Sequence, residues 1–187
     1  PGAADVRVGA LPAGSPSLIA GTAGAGRGRP LDPSFDVADG KGRFELVEPP
    51  STSSFGLADL RGRRWDLDVA RGVPLRLEVN AGVGRLDLDL VDVTLTALDL
   101  DLGVGEVVAT LPGKGRYAVD VDGGVGAITL RLPEGLAARI DADAGLGAVD
   151  VPSGFRKVDD HVWETDGYSD ADDRVTIDVD GGVGAVD

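Results

Sequence analysis

Two positions in this sequence carry carboxylates again and again. Glu78, Asp99, Asp120, Asp141 and Asp178 form one series, and Asn80, Asp101, Asp122, Asp143 and Asp180 form the other. Each series steps by 21 residues, apart from a last step of 37 between positions 141 and 178, or 143 and 180. If equivalent positions stack, oxygen ligands line up in columns. Ca2+ takes about six to eight oxygens in loose geometry, and Asp99, Asp101, Asp120, Asp122, Asp141 and Asp143 are the candidate ligands. Paired carboxylates can also cleave glycosidic or uronide bonds. Catalytic groups, however, occur once in a chain, whereas these recur in nearly every period, which is the mark of architecture. The sequence therefore predicts no enzyme and no catalytic residue. A solvated acidic face comes first, a Ca2+-dependent adhesin-like module second, and a carbohydrate-active β-helix third. No cofactor is expected other than Ca2+.

The single histidine, His161, lies in Asp159-Asp-His-Val-Trp163. Around it, residues 152–174 interrupt the 21-residue spacing and hold Phe155, Trp163 and Tyr168, three of the eight aromatic residues. This insertion reads as a flap covering the stacked coils. Its functional alternative is a recognition loop with Phe155, His161, Trp163 and Tyr168 as partner contacts, because loops leaving a repeat array often bind. With no cysteine in the chain, disulfides and thiolate zinc sites are excluded. Gly-Val-Gly is no phosphate loop, since no helix follows to offer its N-terminus.

The elements that must position these side chains follow from the same repeat. Asn80-Ala-Gly-Val-Gly84, Asp101-Leu-Gly-Val-Gly105, Asp122-Gly-Gly-Val-Gly126, Asp143-Ala-Gly-Leu-Gly147 and Asp180-Gly-Gly-Val-Gly184 mark its copies. Alternating segments flank them, such as Leu75-Arg-Leu-Glu-Val before and Arg85-Leu-Asp-Leu-Asp-Leu90 after. That is the period-2 pattern of half-buried strands. The spacing predicts two short strands per period, joined at a Gly-x-Gly corner, and almost no helix. The branched residue between the glycines, valine or leucine in all five copies, reads as pointing inward. The expected fold is all-β: a single-stranded β-solenoid with a 21-residue coil. In that arrangement neighbouring carboxylates sit ~4.8 Å apart and repel by about 0.9 kcal/mol in water.

Charge is uneven along the chain. Residues 1–63 hold seven basic and seven acidic groups; residues 64–187 hold eleven and twenty-five, so the whole net charge of −14 lies there. That excludes nucleic acid as a partner and disfavours anionic lipid surfaces. Residues 1–63 are expected to form irregular β coils or a cap, and residues 64–187 the regular array with its flap at 152–174, in one continuous domain. The last repeat ends the array without a cap, which would allow end-to-end self-association.

Trp65-Asp-Leu-Asp-Val and Val73-Pro-Leu-Arg-Leu-Glu-Val-Asn-Ala-Gly-Val-Gly84 together resemble the toast-rack family of bacterial proteins. So do Leu95-Thr-Ala-Leu-Asp-Leu-Asp-Leu-Gly-Val-Gly105, Trp163-Glu-Thr-Asp-Gly-Tyr168 and the final Gly-Gly-Val-Gly. That family is related to the LiaF-like C-terminal domain of cell-wall-active-antibiotics response proteins and to adhesin-like β-solenoids. The resemblance implies an extracytoplasmic module of the bacterial envelope that meets a protein partner and serves in envelope-stress response. It implies membrane association only through a tether that is absent from this chain. It supplies no catalytic residues.

Overall fold

The computed structural model describes residues 3–24, 31–48 and 64–186. Twelve strands follow one another: β1 (Ala3–Ala10), β2 (Ile19–Ala23), β3 (Asp32–Ala38), β4 (Lys41–Val47), β5 (Arg64–Val69) and β6 (Leu75–Asp89) come first. They are followed by β7 (Leu95–Thr110), β8 (Arg116–Arg131), β9 (Ala137–Val149), β10 (Phe155–Asp159), β11 (Val162–Thr165) and β12 (Arg174–Val186). The only helix among the described residues is one 3-10 turn, Tyr168–Asp170. None is long and apolar enough to cross a membrane.

Each 21-residue period forms one long strand rather than two short ones, and pairing runs straight through the glycines. Val83 pairs with Val104, and Val104 with Val125, in parallel register. The strand nonetheless doubles back. Fifteen extended residues would reach about 50 Å, and the five residues 90–94 that lead from β6 to β7 cannot return that distance. The burial pattern locates the bend. Val79 and Ala81 are buried before the glycines and Leu86, Leu88 and Leu90 after them, so the inward parity switches from odd to even across residues 82–84. In β7 the switch runs the other way, from Leu98, Leu100 and Leu102 to Val107, Ala109 and Leu111. Two arms of each coil thus face each other across a thin aliphatic core, as the repeat predicts for a β-solenoid.

The corner requires glycine for a definite reason. Gly105 and Gly126 sit at φ 148°, and a Cβ there would lie 1.8 and 1.6 Å from the carbonyl oxygens of Gly84 and Gly105. A Cβ on Gly103 or Gly124 would likewise meet the carbonyl of the preceding coil's equivalent glycine. The backbones stack too closely at this edge for any side chain. The valine between the glycines does not point inward, contrary to the sequence expectation. Val83, Val104 and Val125 are 46%, 47% and 50% exposed, because the bend turns the middle residue outward. The solenoid follows from parity and register, not from those valines.

Strand order brings a second correction. The ten-stranded sheet runs β10-β11-β9-β12-β8-β7-β6-β1-β5-β2. The last repeat, β12, does not follow β9 outward; it lies between β8 and β9, parallel to both and in register with both. The columns therefore read Glu78, Asp99, Asp120, Asp178, Asp141 in space. Because β12 is interior, the last repeat in sequence is not the end of the array. The outermost repeat is β9, whose first arm is covered by antiparallel β11 through Val162–Asp141, Trp163–Ile140 and Glu164–Arg139.

Residues 3–24 extend the array at its other end. β1 pairs with the second arm of β6 and with β5, and antiparallel β2 closes that edge. The β3–β4 hairpin forms a separate two-stranded sheet turning at Asp39 and Gly40, both at positive φ. Gly40 thus serves a hairpin turn.

Candidate interaction surface

Alternation along the first arms sends every second residue outward, and parallel in-register pairing turns those residues into columns. Glu78 pairs with Asp99 and Asp99 with Asp120; Asp178 pairs with both Asp120 and Asp141. Asn80, Asp101, Asp122, Asp180 and Asp143 form the second column by the same rule. The six sequence-predicted ligands thus share one face, but Asp178 and Asp180 separate Asp120 and Asp122 from Asp141 and Asp143.

The face is a shallow open depression where Arg76, Glu78, Asn80, Asp99, Asp101, Asp120 and Asp122 meet. Its N-terminal end is partly neutralised. Arg76 pairs with Asp99 at 3.0 Å, and Asn80 Nδ2 donates to Glu78 Oε1 at 2.9 Å. Toward the middle, Asp120 and Asp178 have no such ion pair among the described residues. Partial desolvation, followed by the charges of Asp122, Asp99 and Asp180, raises the Asp120 carboxyl above its ordinary pKa. Desolvation and the neighbours Asp141, Asp120, Asp180 and Asp122 do the same to Asp178. These two anions are held at some cost because the strands fix their spacing. Among the described residues, no three acidic or histidine side chains converge on a cation-sized position.

Beside the second column runs the outward ridge Val83, Val104 and Val125. Sequence reasoning placed these valines in the core, so it missed that an aliphatic row borders the acidic face. The signal available was the pair of flanking glycines, which leaves the middle residue no neighbouring side chain to pack against.

The flap residues lie at the β9 end. Phe155 and Trp163 are half-buried and pack against the main core, and Lys157 Nζ sits 5.5 Å above the Trp163 ring. Arg139 forms an ion pair with Glu164, which ties β11 to β9. Tyr168 hydrogen-bonds through its hydroxyl to Thr176 Oγ1 at 2.7 Å and lies under Arg174. His161 alone of the four is exposed, at the tip of the β10–β11 hairpin, where its carbonyl accepts from Ala142 N. The structure brings Phe155, His161 and Trp163 onto one hairpin and leaves Tyr168 beside β12.

A polar clamp fastens the start of β12. The Asp173 carboxylate takes Lys114 Nζ and Gly115 N, each at 2.8 Å, and Arg116 grips Asp172. The Gly115 amide first, and then Lys114, hold the Asp173 carboxyl below its usual pKa. These partners are 58 or 59 residues apart in sequence, so no local pattern announces them.

Residues 11–131 match the family described as the N-terminal domain of toast_rack, DUF2154. No curated protein matches the sequence. Among solved structures, one from Clostridium sporogenes ATCC 15579, named a "putative cell adhesion protein", superposes with a TM-score of 0.87 at 22% identity. The match spans 99% of this chain and 87% of that one. At that identity the likeness is one of fold.

Proposed function

The chain belongs to the toast-rack family, and on that premise we propose that it is a non-enzymatic module of the bacterial cell envelope that offers its acidic face to a protein partner. One observation supports this most: carboxylates held in register on a rigid sheet, two of them in surroundings that disfavour their charged form, beside an exposed valine row. A surface kept in that state against its own repulsion is suited to a cationic, partly apolar partner. A role in envelope-stress response is the finer reading, and it rests on family resemblance alone. The same resemblance is the ground for extracytoplasmic placement through a separate tether. The name of the Clostridium sporogenes structure favours adhesion as the kind of contact involved.

Site-specific photocrosslinking in bacterial cells tests this reading. A crosslinker at Asp101, on the acidic face, should trap a protein; one at Asp89, on the opposite arm, should not. Crosslinks that appear equally from both positions, or from neither, would sink the proposal. Substituting Asp101 and Asp122 by Asn should also abolish binding.

The second reading, a Ca2+-dependent adhesin-like module, draws on the raised Asp120 and Asp178 carboxyls, which a bound cation would relieve. It predicts cation-dependent stability, taken up below. An enzymatic role finds no support, because the acids recur coil after coil.

A further inference from the structure

The links between coils carry an unexpected regularity. Five residues, 90–94, lead from β6 to β7, five, 111–115, from β7 to β8, and five, 132–136, from β8 to β9. The first two links join adjacent strands. The third joins strands with β12 between them, so the same length crosses two strand spacings, about 9.6 Å instead of 4.8 Å. Nothing in the β8–β9 link requires that gap. Asp120 and Asp141 stand 21 residues apart, as Asp99 and Asp120 do, so β9 has the register to close directly on β8. The slot stays open because β12 occupies it, paired along its whole length on both sides.

The strand in the slot is also a copy of its neighbour. Residues 178–185 repeat residues 120–127 without a change, Asp-Val-Asp-Gly-Gly-Val-Gly-Ala, and the two segments lie side by side in register. The eight residues 166–173 connect β12 to β11. Its local contacts, Tyr168 with Thr176 and Arg174 with Ser169 and Ala171, travel with it. The contacts that hold it in place, with β8, β9, Lys114 and Gly115, recur on every copy of the chain.

We propose that the space between β8 and β9 is a strand-accepting slot, and that β12 of a second copy of this chain fills it in place of the chain's own. The slot offers the same register and the same partners to any copy of β12, so it does not distinguish its own strand from another's. Exchange preserves every β12 contact, with residues 168–173 moving as part of the strand, and changes only the path at Asp166 and Gly167, so concentration decides between the closed monomer and the exchanged dimer. This is a different association from end-to-end joining of intact rods.

The chain has no native cysteine, which makes a direct test available. Ala118 and Thr176 are cross-strand partners and both are exposed, and the strand spacing lies within disulfide range. Full-length Ala118→Cys and Thr176→Cys chains are unfolded together, refolded over a range of concentrations and oxidised. The proposal expects a mixed disulfide dimer whose yield rises with concentration, while the Ala118→Cys/Thr176→Cys double variant forms an intrachain bond when dilute. No mixed dimer at any concentration, with the intrachain bond still forming, overturns it. Should the variants misfold, light scattering on the unsubstituted chain decides. Refolding at high concentration should give a dimer that survives dilution; only monomer, or a dimer that falls apart at once on dilution, overturns the proposal.

Discussion

The middle coils, β6 to β8, and the distal end, β9 to β12, are written in the same repeat yet are assembled differently. In the middle, each strand lies beside the one before it, every inward position is filled, and register follows from the 21-residue spacing alone. At the distal end the spacing is the same, but a strand from further along the chain has separated β8 from β9. A hairpin then covers the outermost arm. Register is therefore a property of the repeat, whereas order is decided by contacts the repeat does not encode: Lys114 and Gly115 on Asp173, Arg116 on Asp172, Glu164 on Arg139. A repeated pattern makes neighbours interchangeable, and the irregular residues choose among them.

Glycine substitutions should separate the two regions most sharply. Gly105→Ala places a methyl group on the Gly84 carbonyl at a φ that alanine rarely adopts, and should destabilise by about 4 kcal/mol or prevent folding. Gly167→Ala, in the distal loop with open space around it, should lose only about 1 kcal/mol, from its positive φ. Urea denaturation measures both. Equal effects would mean that the corner stack is looser than described.

Leu98→Ala in β7 and Ile177→Ala in β12 come next. Both side chains are fully buried, so each should cost about 2–5 kcal/mol. Were β12 an outer strand, Ile177 would have only one neighbouring coil and its loss would be felt far less; a ratio well below one would break the assigned strand order.

Acid titration should divide the acidic face from the clamp. Asp120 and Asp178 have raised folded pKa values, so their ionisation opposes folding and that penalty is relieved as pH falls through those values toward the ordinary one. Asp120→Asn and Asp178→Asn should therefore raise the melting midpoint at pH 7, with the gain shrinking in acid. Asp173 has a lowered value, so its contribution is present above the ordinary carboxylate pKa and is lost as pH falls through the folded one. Asp173→Asn should lower the midpoint at pH 7 and matter least in strong acid. Identical pH profiles for the three variants would contradict this division.

The smallest expected effect is that of calcium. A ligand at ~100 times its dissociation constant would add about 2.7 kcal/mol, or a midpoint shift of roughly 5–11 °C for a domain of this size. A solvated face predicts no shift in Ca2+ beyond that in Mg2+. A calcium-specific shift of that order would promote the cation-binding reading over the protein-binding one.

What the sequence made legible follows the same boundary. Alternation around Gly82-Val-Gly84 and its copies specified the coil, its inward residues and the acidic columns, because a two-residue period and a constant spacing are local facts. The outward turn of Val104 was not read from the sequence, since hydrophobicity suggests burial and the flanking glycines, the one local sign of the bend, do not by themselves give its direction. The position of β12 was hidden for a deeper reason. Asp178-Val-Asp-Gly-Gly-Val-Gly fits beside β8 as well as it fits beside β9, so its sequence carries no information about which side it takes. The β3–β4 hairpin shows a third limit. Phe35 and Phe44 face each other across its strands and remain exposed, although their alternation matches that of the buried coils.

The outward row of Val83, Val104 and Val125 can also be considered as a graduated scale. Its divisions are ~4.8 Å apart, while successive turns of an α-helix laid along it are ~5.4 Å apart. The two scales slip by about 0.6 Å per division, so after four divisions they are nearly half a step out of phase. A helical partner can keep step with three or four coils and no more. A straight partner that engages a longer stretch must bring the same pitch as the rod, and among regular backbones only another cross-strand stack has it.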